Sequence, residues 1–392
     1  MNGKLILEAK HAMPKKNSRI FSTEDARLIA RKRLPRMIYD FIEGAAGREV
    51  GVSRNEEAFD NIMLQPRVME NVSERSLAAS ILDQRFNIPF GVAPMGMCNL
   101  ACPNADKFLA DMANKFDFPV CLSSAASSSI DDMAKWAGHR AWFQLYFSSS
   151  KEASMAMVDR ALRAGFDTLV LTVDVPQVSR RTRDLRNGFN LPFSITPRAF
   201  WDFATHPMWS LATLAAGVPS PKNFVDEDGK TKFNRSGNRA GANWDFFQML
   251  RKKWPGKLIV KGVTSTDDAQ RVKSLGADAI YVSNHGGRQL DSVPPAIRLL
   301  PLIRAAVGSD FPLLFDSGVR NGEDIIKALA LGADFVMLGR PALLALSAEG
   351  ASGLEALLKC FMEDMSVVMA QLGISSINDL KDNVIFNISA TN

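Results

Sequence analysis

Eight short apolar runs, each followed by a stretch of helical character, constrain this chain more than any other feature. They are IPFGVAP (88–94), FPVCLSS (118–124), AWFQLYF (141–147), TLVLTVD (168–174), KLIVKGV (257–263), AIYVSN (279–284), FPLLFDSG (311–318) and FVMLGRP (335–341). Continuous apolar runs read as strands buried on both faces, the mark of a parallel sheet. Eight such units predict an α/β chain whose sheet closes into a (β/α)8, or TIM, barrel. The segments AGFDTLVLTVD, LGADAIYVSN and LGADFVMLGR echo one another, each passing from a helix-ending glycine through an acidic residue into a strand. Such junctions occur in any α/β fold, so the echo supports the class more than the closure.

Residues 1–85 read as a helical cap and lead-in, and 86–392 as the barrel. Ser22 followed by Asp25 resembles a capping box opening a helix. Pro35 suits the first turn of a second helix, 35–43, which Gly44 ends. One connection is anomalous: residues 175–256, 82 in all, separate the fourth run from the fifth, far more than a strand–helix unit needs. Part of this insert is aromatic (PRAFWDFATHPMW, 197–209) and part is polar and glycine-rich (226–243). It is expected to form a lid or surface loop.

Composition narrows the classes. The chain has 392 residues, 46% of them hydrophobic, and a net charge of +5. No dense basic run interleaved with aromatics suggests nucleic acid; the mild positive excess suits anionic small ligands. The four cysteines, Cys98, Cys102, Cys121 and Cys360, have the spacing of neither a zinc site nor a disulfide framework, so reduced thiols and no metal are expected. No cleavable leader is visible and no apolar run reaches the ~18 residues of a membrane span, which leads to the expectation of a cytoplasmic protein.

In such a barrel, chemistry collects at the C-terminal strand ends. Seven of the eight runs end there in polar residues, among them Ser123, Ser124, Gln144, Tyr146, Thr172, Asp174, Lys261, Ser283, Asn284, His285, Asp316 and Arg340. Loop caps explain one or two of these, but so many polar ends to apolar strands are costly without a ligand. His285 follows the sixth run inside SNHGGRQLD (283–291), where Gly286 and Gly287 allow the tight turning that brings Arg288 beside the imidazole. A base beside a guanidinium suits an anionic acid. DSGVRNG (316–322) and LGRP (338–341) end the last two runs, where barrels commonly hold a phosphate; Gly318, Gly339 and Arg340 fit that role. Lys261 reads equally as a Schiff-base lysine or as a fixed cation beside a flavin ring.

Taken in order, WFQLY, LTVD, KGV, SNHGGRQLD and DSGVRNG resemble the FMN-dependent 2-hydroxy acid oxidase and dehydrogenase family, which includes glycolate oxidase, flavin L-lactate dehydrogenase and mandelate dehydrogenase. The resemblance runs from about residue 20 to 385. It implies FMN as cofactor and oxidation of a lactate- or mandelate-like L-2-hydroxy acid to the 2-oxo acid. It implies His285 as catalytic base, oriented by Asp174, with Tyr146 at the substrate hydroxyl and Arg288 and Arg181 on the substrate carboxylate. Ser123, Gln144, Thr172, Lys261 and Ser283, with the backbone of Ala93, Pro94 and Met95, are implied around the flavin ring. Asp316, Gly318, Arg320, Gly339 and Arg340 are implied along the ribityl chain and phosphate. Other FMN barrels, such as isopentenyl diphosphate isomerases and nucleotide dehydrogenases, lack SNHGGRQLD, and a non-catalytic flavin-binding barrel has no need of His285, Asp174 and Arg288 together.

Departures from the family pattern carry expectations of their own. Phe41 stands in Tyr39-Asp40-Phe41 where many members have a carboxylate-binding tyrosine; Tyr39 is expected to face away. Ala125 stands where glycolate oxidases carry tryptophan, which implies a roomier pocket. Gly96, where oxidases often have alanine, favours a dehydrogenase over an oxygen-using oxidase that releases hydrogen peroxide. The electron acceptor is expected to be a quinone, a cytochrome or oxygen, and the assembly a homotetramer. The aromatic stretch 197–216 is read either as a lid on the barrel or as a peripheral contact with the inner face of the cell membrane.

Overall fold

The computed structural model describes residues 18–148, 150–190, 193–224, 239–380 and 384–386. Eight parallel strands close into a barrel: β3 (Phe90–Met95), β4 (Val120–Ser123), β5 (Ala141–Leu145), β6 (Thr168–Thr172), β7 (Lys257–Val263), β8 (Ala279–Val282), β9 (Leu313–Phe315) and β10 (Phe335–Leu338), with β10 paired back to β3. An antiparallel hairpin, β1 (Ala79–Ile81) and β2 (Gln84–Phe86), precedes them. Seven of the barrel strands fall wholly inside one of the eight apolar runs, and β3 extends one residue past its run, to Met95. Three begin one residue after a proline, Pro89, Pro119 or Pro312. Proline cannot donate to the ladder, but each of these carbonyls accepts from the neighbouring strand, at Val336, Val92 and Ile280.

Burial divides in two. Side chains on the outer face of the barrel strands pack against the helices. Trp142, Val170, Ile259, Tyr281, Leu314 and Phe335 point inward, where Ile81, Leu82 and Phe86 of the hairpin region join them in one cluster. The repeated junctions have a physical basis. Gly165, Gly276 and Gly332 all take positive φ just past a helix. In two of the three, the acidic residue ties the previous strand to an arginine: Asp278 accepts from Leu258 N and Arg251, and Asp334 from Leu313 N and Arg304.

Helix Thr23–Arg33 is capped by Ser22, whose hydroxyl accepts from Asp25 N. The second cap helix is Arg36–Glu43, with Pro35 at its N-cap rather than inside its first turn as expected. Proline has no polar side chain to satisfy the exposed amides. Asp202 of the insert does so instead, accepting from Arg36 N at 2.8 Å and Met37 N at 3.0 Å.

The insert is more ordered than a loop. It contains helices Thr182–Asn187, Pro197–Ala204 and Pro207–Ala216, and helix Trp244–Lys253, which leads into β7. Thr196 caps the second of these, and Pro197 and Pro207 each sit in a first turn, where no amide partner is lost. Trp209 donates to Leu100 O at 2.8 Å, and Asn223 bonds Ile130 N and Ser128 O, so the insert is pinned onto the loops after β3 and β4. Residues 226–238 of the polar stretch lie outside the described residues, whereas Arg239 at its end is buried, not a surface loop residue.

Candidate active site

Period-two alternation along the strands builds the site floor. Two residues beyond the inward apolar layer, the same face turns polar: Ser123 follows Cys121, Gln144 follows Trp142, Thr172 follows Val170, Lys261 follows Ile259, Ser283 follows Tyr281 and Asp316 follows Leu314. These groups satisfy one another. Ser123 Oγ donates to Gln144 Oε1 and Gln144 Nε2 to Thr172 Oγ1, both at 2.9 Å. Lys261 Nζ donates to Ser283 Oγ at 2.7 Å and lies 3.0 Å from Asp316 Oδ2. Burial works against the lysine charge, but Asp316 and Asp174 hold its pKa above the ordinary lysine range. Burial likewise opposes the Asp316 charge, and Lys261 with Ser283 holds that carboxyl below its usual range.

His285 stands at the end of β8 with φ of 58°, a left-handed conformation uncommon for a non-glycine residue. Its N–H donates to Ser283 Oγ at 3.0 Å. Nδ1 lies 3.0 Å from Asp174 Oδ1; a carboxylate accepts only, so the proton is on Nδ1 and Nε2 presents its lone pair. Nε2 is 3.4 Å from the Tyr146 hydroxyl. Burial lowers the His285 pKa, Asp174 opposes that shift, and Lys261 and Arg181 add to it; the net direction is down. Burial, with Asp174, raises the Tyr146 pKa and keeps the phenol neutral.

The loop after β8 also carries the cap. Arg288 donates to the carbonyls of Phe41, Ile42 and Gly44 at the C-terminal end of helix Arg36–Glu43, at 2.6–3.1 Å. A cation there satisfies carbonyls that the helix leaves unpaired. Asp291 accepts from Arg48 N and Gly51 N, capping helix Val50–Asp60, and Asn284 exchanges hydrogen bonds with Asn55 of that helix. A side chain at Gly286 would sit 2.7 Å from Arg340 Nη1, which bonds the Gly286 carbonyl.

A cavity of about 1340 Å³ of free space, partly open to solvent, lies over this floor. Of the expected residues, Ala93, Pro94, Met95, Ser123, Tyr146, Arg181, Lys261, His285, Arg288, Asp316, Gly318, Arg320, Gly339 and Arg340 line it. Gln144, Thr172, Asp174 and Ser283 do not; Gln144, Asp174 and Ser283 are bonded to residues that do, and Thr172 to Gln144. Phe41 and Ala125 line the cavity, and Tyr39 does not. Four lining residues of the insert, Val175, Val178, Phe189 and Arg239, escaped sequence reasoning because no strand register places them. Phe189 stacks on Phe41 with centroids 4.5 Å apart.

The donor set suits a flavin phosphate ester. Arg320 and Arg340 each leave a buried Nε without a partner among the described residues, beside the backbone of Gly318 and Gly339. Gly318 has φ of +97°, and a Cβ there would meet Asn55 O at 2.5 Å. Lys261 supplies a fixed cation on the barrel floor. Together, the closed barrel and a cavity built this way define a flavin-dependent oxidoreductase.

A family model described as FMN-dependent dehydrogenase matches residues 30–387. The chain belongs to that family, and its cofactor is FMN. It is 39% identical over 378 residues to (S)-mandelate dehydrogenase of Pseudomonas putida, covering 95% of each chain. It is 34% identical to L-lactate dehydrogenase of Xanthobacter autotrophicus, covering 94% of this chain and 97% of that one. The crystal structure of the monotopic membrane protein (S)-mandelate dehydrogenase superimposes with a TM-score of 0.90 at 39% identity, covering 94% of this chain and 100% of that one. A mandelate oxidase structure gives 0.78 at 32% identity, covering 92% and 97%.

Lys261 is buried with Asp316, and removing one partner of a buried pair strands the other charge. Lys261→Met is expected to lower the stability of the flavin-free protein by about 3–5 kcal/mol in denaturant titration, whereas a loss below about 1 kcal/mol would show that the pair is not buried as described.

Proposed function

We propose that this enzyme oxidises an L-2-hydroxy acid to the 2-oxo acid and acts as a dehydrogenase. The carrying observation is the Asp174–His285 pair, whose free Nε2 faces the Tyr146 hydroxyl across the cavity. Bound FMN supplies the redox chemistry, accepting the two electrons that the substrate loses. Lys261, Ser123 and the Ala93–Met95 backbone would hold its ring, with Gln144, Thr172 and Ser283 fixing their orientation from behind. Asp316 and Gly318 would hold the ribityl chain, and Gly339, Arg320 and Arg340 the phosphate.

On this reading Arg181 and Arg288 hold the substrate carboxylate, and Tyr146 donates toward the 2-hydroxyl. His285 Nε2 takes one of the two protons released as the hydroxyl carbon becomes a carbonyl, the other going with the two electrons that bound FMN would accept. Asp174 stabilises the imidazolium that results and fixes the tautomer beforehand. Phe41 and Phe189 present a stacked apolar wall, and Ala125 is a small side chain on the cavity lining, which supports a substrate side chain larger than that of glycolate. Dehydrogenase rather than oxidase is supported by Gly96 and by the greater identity to named dehydrogenases.

The same enzyme is proposed to rest on a membrane surface through the insert, with a quinone or another membrane-borne acceptor in reach. Ala199, Trp209 and Thr213 are buried, while Trp201, Met208, Leu211 and Leu214 are about two-thirds exposed or more. Lid and docking surface are therefore two faces of one element. No described helix is long and apolar enough to cross a membrane, so the contact is interfacial.

Two outcomes are expected. Because a neutral His285 is required and its pKa is depressed, kcat/KM holds as pH falls and declines only below the ordinary histidine value of about 6.5. His285→Ala removes that limb and lowers turnover by roughly 10²-fold or more with FMN still bound, and a limb centred above pH 6.5 or near-native turnover of the variant would contradict the assignment. The wild-type protein is expected to sediment with anionic lipid vesicles, and the triple variant Trp201→Glu, Leu211→Glu, Leu214→Glu to stay in solution with its flavin spectrum intact. Equal sedimentation of the two would remove the membrane proposal.

A further inference from the structure

Among the described residues, Arg239 is the charged cavity residue to which the proposed reaction gives no part. Its residue surface is only 9% exposed, yet it lines the same cavity as His285 and Lys261. It enters from the insert, held by a backbone hydrogen bond from Arg239 N to Pro176 O. Its guanidinium has no hydrogen bond to, and no ion pair with, any described residue; it lies over the face of Tyr146, 5.0 Å from the ring centroid.

Other cavity cations are anchored differently. Lys261 meets Asp316, Arg320 meets Glu56, Arg288 meets three carbonyls, and Arg340 meets the carbonyls of Gly286 and Gly44. An arginine that only solvated the surface would be exposed, and one that only packed would not need its charge. A buried guanidinium without a counter-charge is costly, and an aromatic face offsets only part of that cost. Burial also draws the Arg239 pKa down, as a missing counter-anion requires.

We propose that Arg239 is a substrate-binding residue for a second anionic group, so that the preferred substrate is a dianionic L-2-hydroxy acid. The inference rests on the 2-hydroxy acid reading of the site. Any such acid brings one carboxylate, which Arg181 and Arg288 take. Arg239 adds a third positive charge on the insert wall, against the ring of the tyrosine that marks the hydroxyl-bearing carbon. Val175, Val178 and Phe189 supply the apolar part of that wall and fit the carbons between the two acidic ends. A guanidinium forks onto a carboxylate with paired N–H bonds, which an ammonium cannot do.

The test compares L-2-hydroxyglutarate with L-2-hydroxypentanoate, an acid of the same chain length with an uncharged end, on the FMN-loaded enzyme. Wild type is expected to favour the dianion in kcat/KM by about tenfold or more, and Arg239→Gln to lose that preference by a similar factor, the weight of one charge-assisted pair. Arg239→Lys is expected to restore part of it. Calorimetric binding of 2-oxoglutarate against 2-oxopentanoate should follow the same order in all three proteins, independent of turnover. Preference of the wild type for the uncharged end, or an equal loss on both acids in Arg239→Gln, overturns the assignment while leaving 2-hydroxy acid oxidation intact. Failure of the wild type to oxidise any L-2-hydroxy acid overturns both.

Discussion

The docking of the N-terminal cap onto the nine-residue segment after β8 is the contact on which the site depends. Within residues 283–291, Asn284 bonds Asn55, Arg288 closes the end of helix Arg36–Glu43, and Asp291 caps helix Val50–Asp60. The intervening turn holds His285 in a left-handed conformation, with Gly286 and Gly287 beside it. The residue that faces the chemistry and the residues that hold the roof are therefore covalent neighbours. Strain at His285 is sustained because the segment around it is fixed at several points. Asp202 of the insert secures the opposite end of helix Arg36–Glu43, so three separate parts of the chain close over one cavity.

Electrostatics then separates the roles of similar groups. Two carboxylates face the floor, but each is committed: Asp174 to the imidazole and Asp316 to Lys261. On the proposed reading neither serves as the base. The imidazole, buried and with its Nδ1 proton held by Asp174, is left neutral with its other nitrogen directed at Tyr146. Of the arginines, Arg320 and Arg340 approach the glycine loops after β9 and β10, whereas Arg181 and Arg239 come from the insert. On the proposed reading the cavity has a phosphate end at the loops after β9 and β10, and a substrate end where the insert adds Arg181 and Arg239 to residues of the barrel.

That division also explains what the sequence revealed. All eight strands, and the polar residues that end seven of the runs, were legible because continuous apolar runs alternating with helical stretches leave few alternatives to a parallel barrel. His285 and Arg288 stood out through the glycine pair between and beside them. Pro35 was misplaced by one position because its helix is capped from Asp202, a residue far away in sequence. Gln144, Thr172 and Ser283, implied around the flavin ring, are not among the residues that line the cavity, since a strand pattern gives the face of a side chain but not its depth. The insert was least legible. Its helices bury one face and expose the other, and Arg239 sits within a polar, glycine-rich stretch with no strand register to mark it as a cavity residue.

On the proposed reading, an L-2-hydroxy acid in this cavity gives up two electrons to bound FMN while the His285–Asp174 pair takes up a proton. Anaerobic mixing of the FMN-loaded enzyme with such acids, followed by visible absorption, tests it most directly. The flavin is expected to bleach with L-2-hydroxy acids and to stay oxidised with their D-enantiomers. A flavin that remains oxidised with every L-2-hydroxy acid, mono- or dianionic, would contradict it.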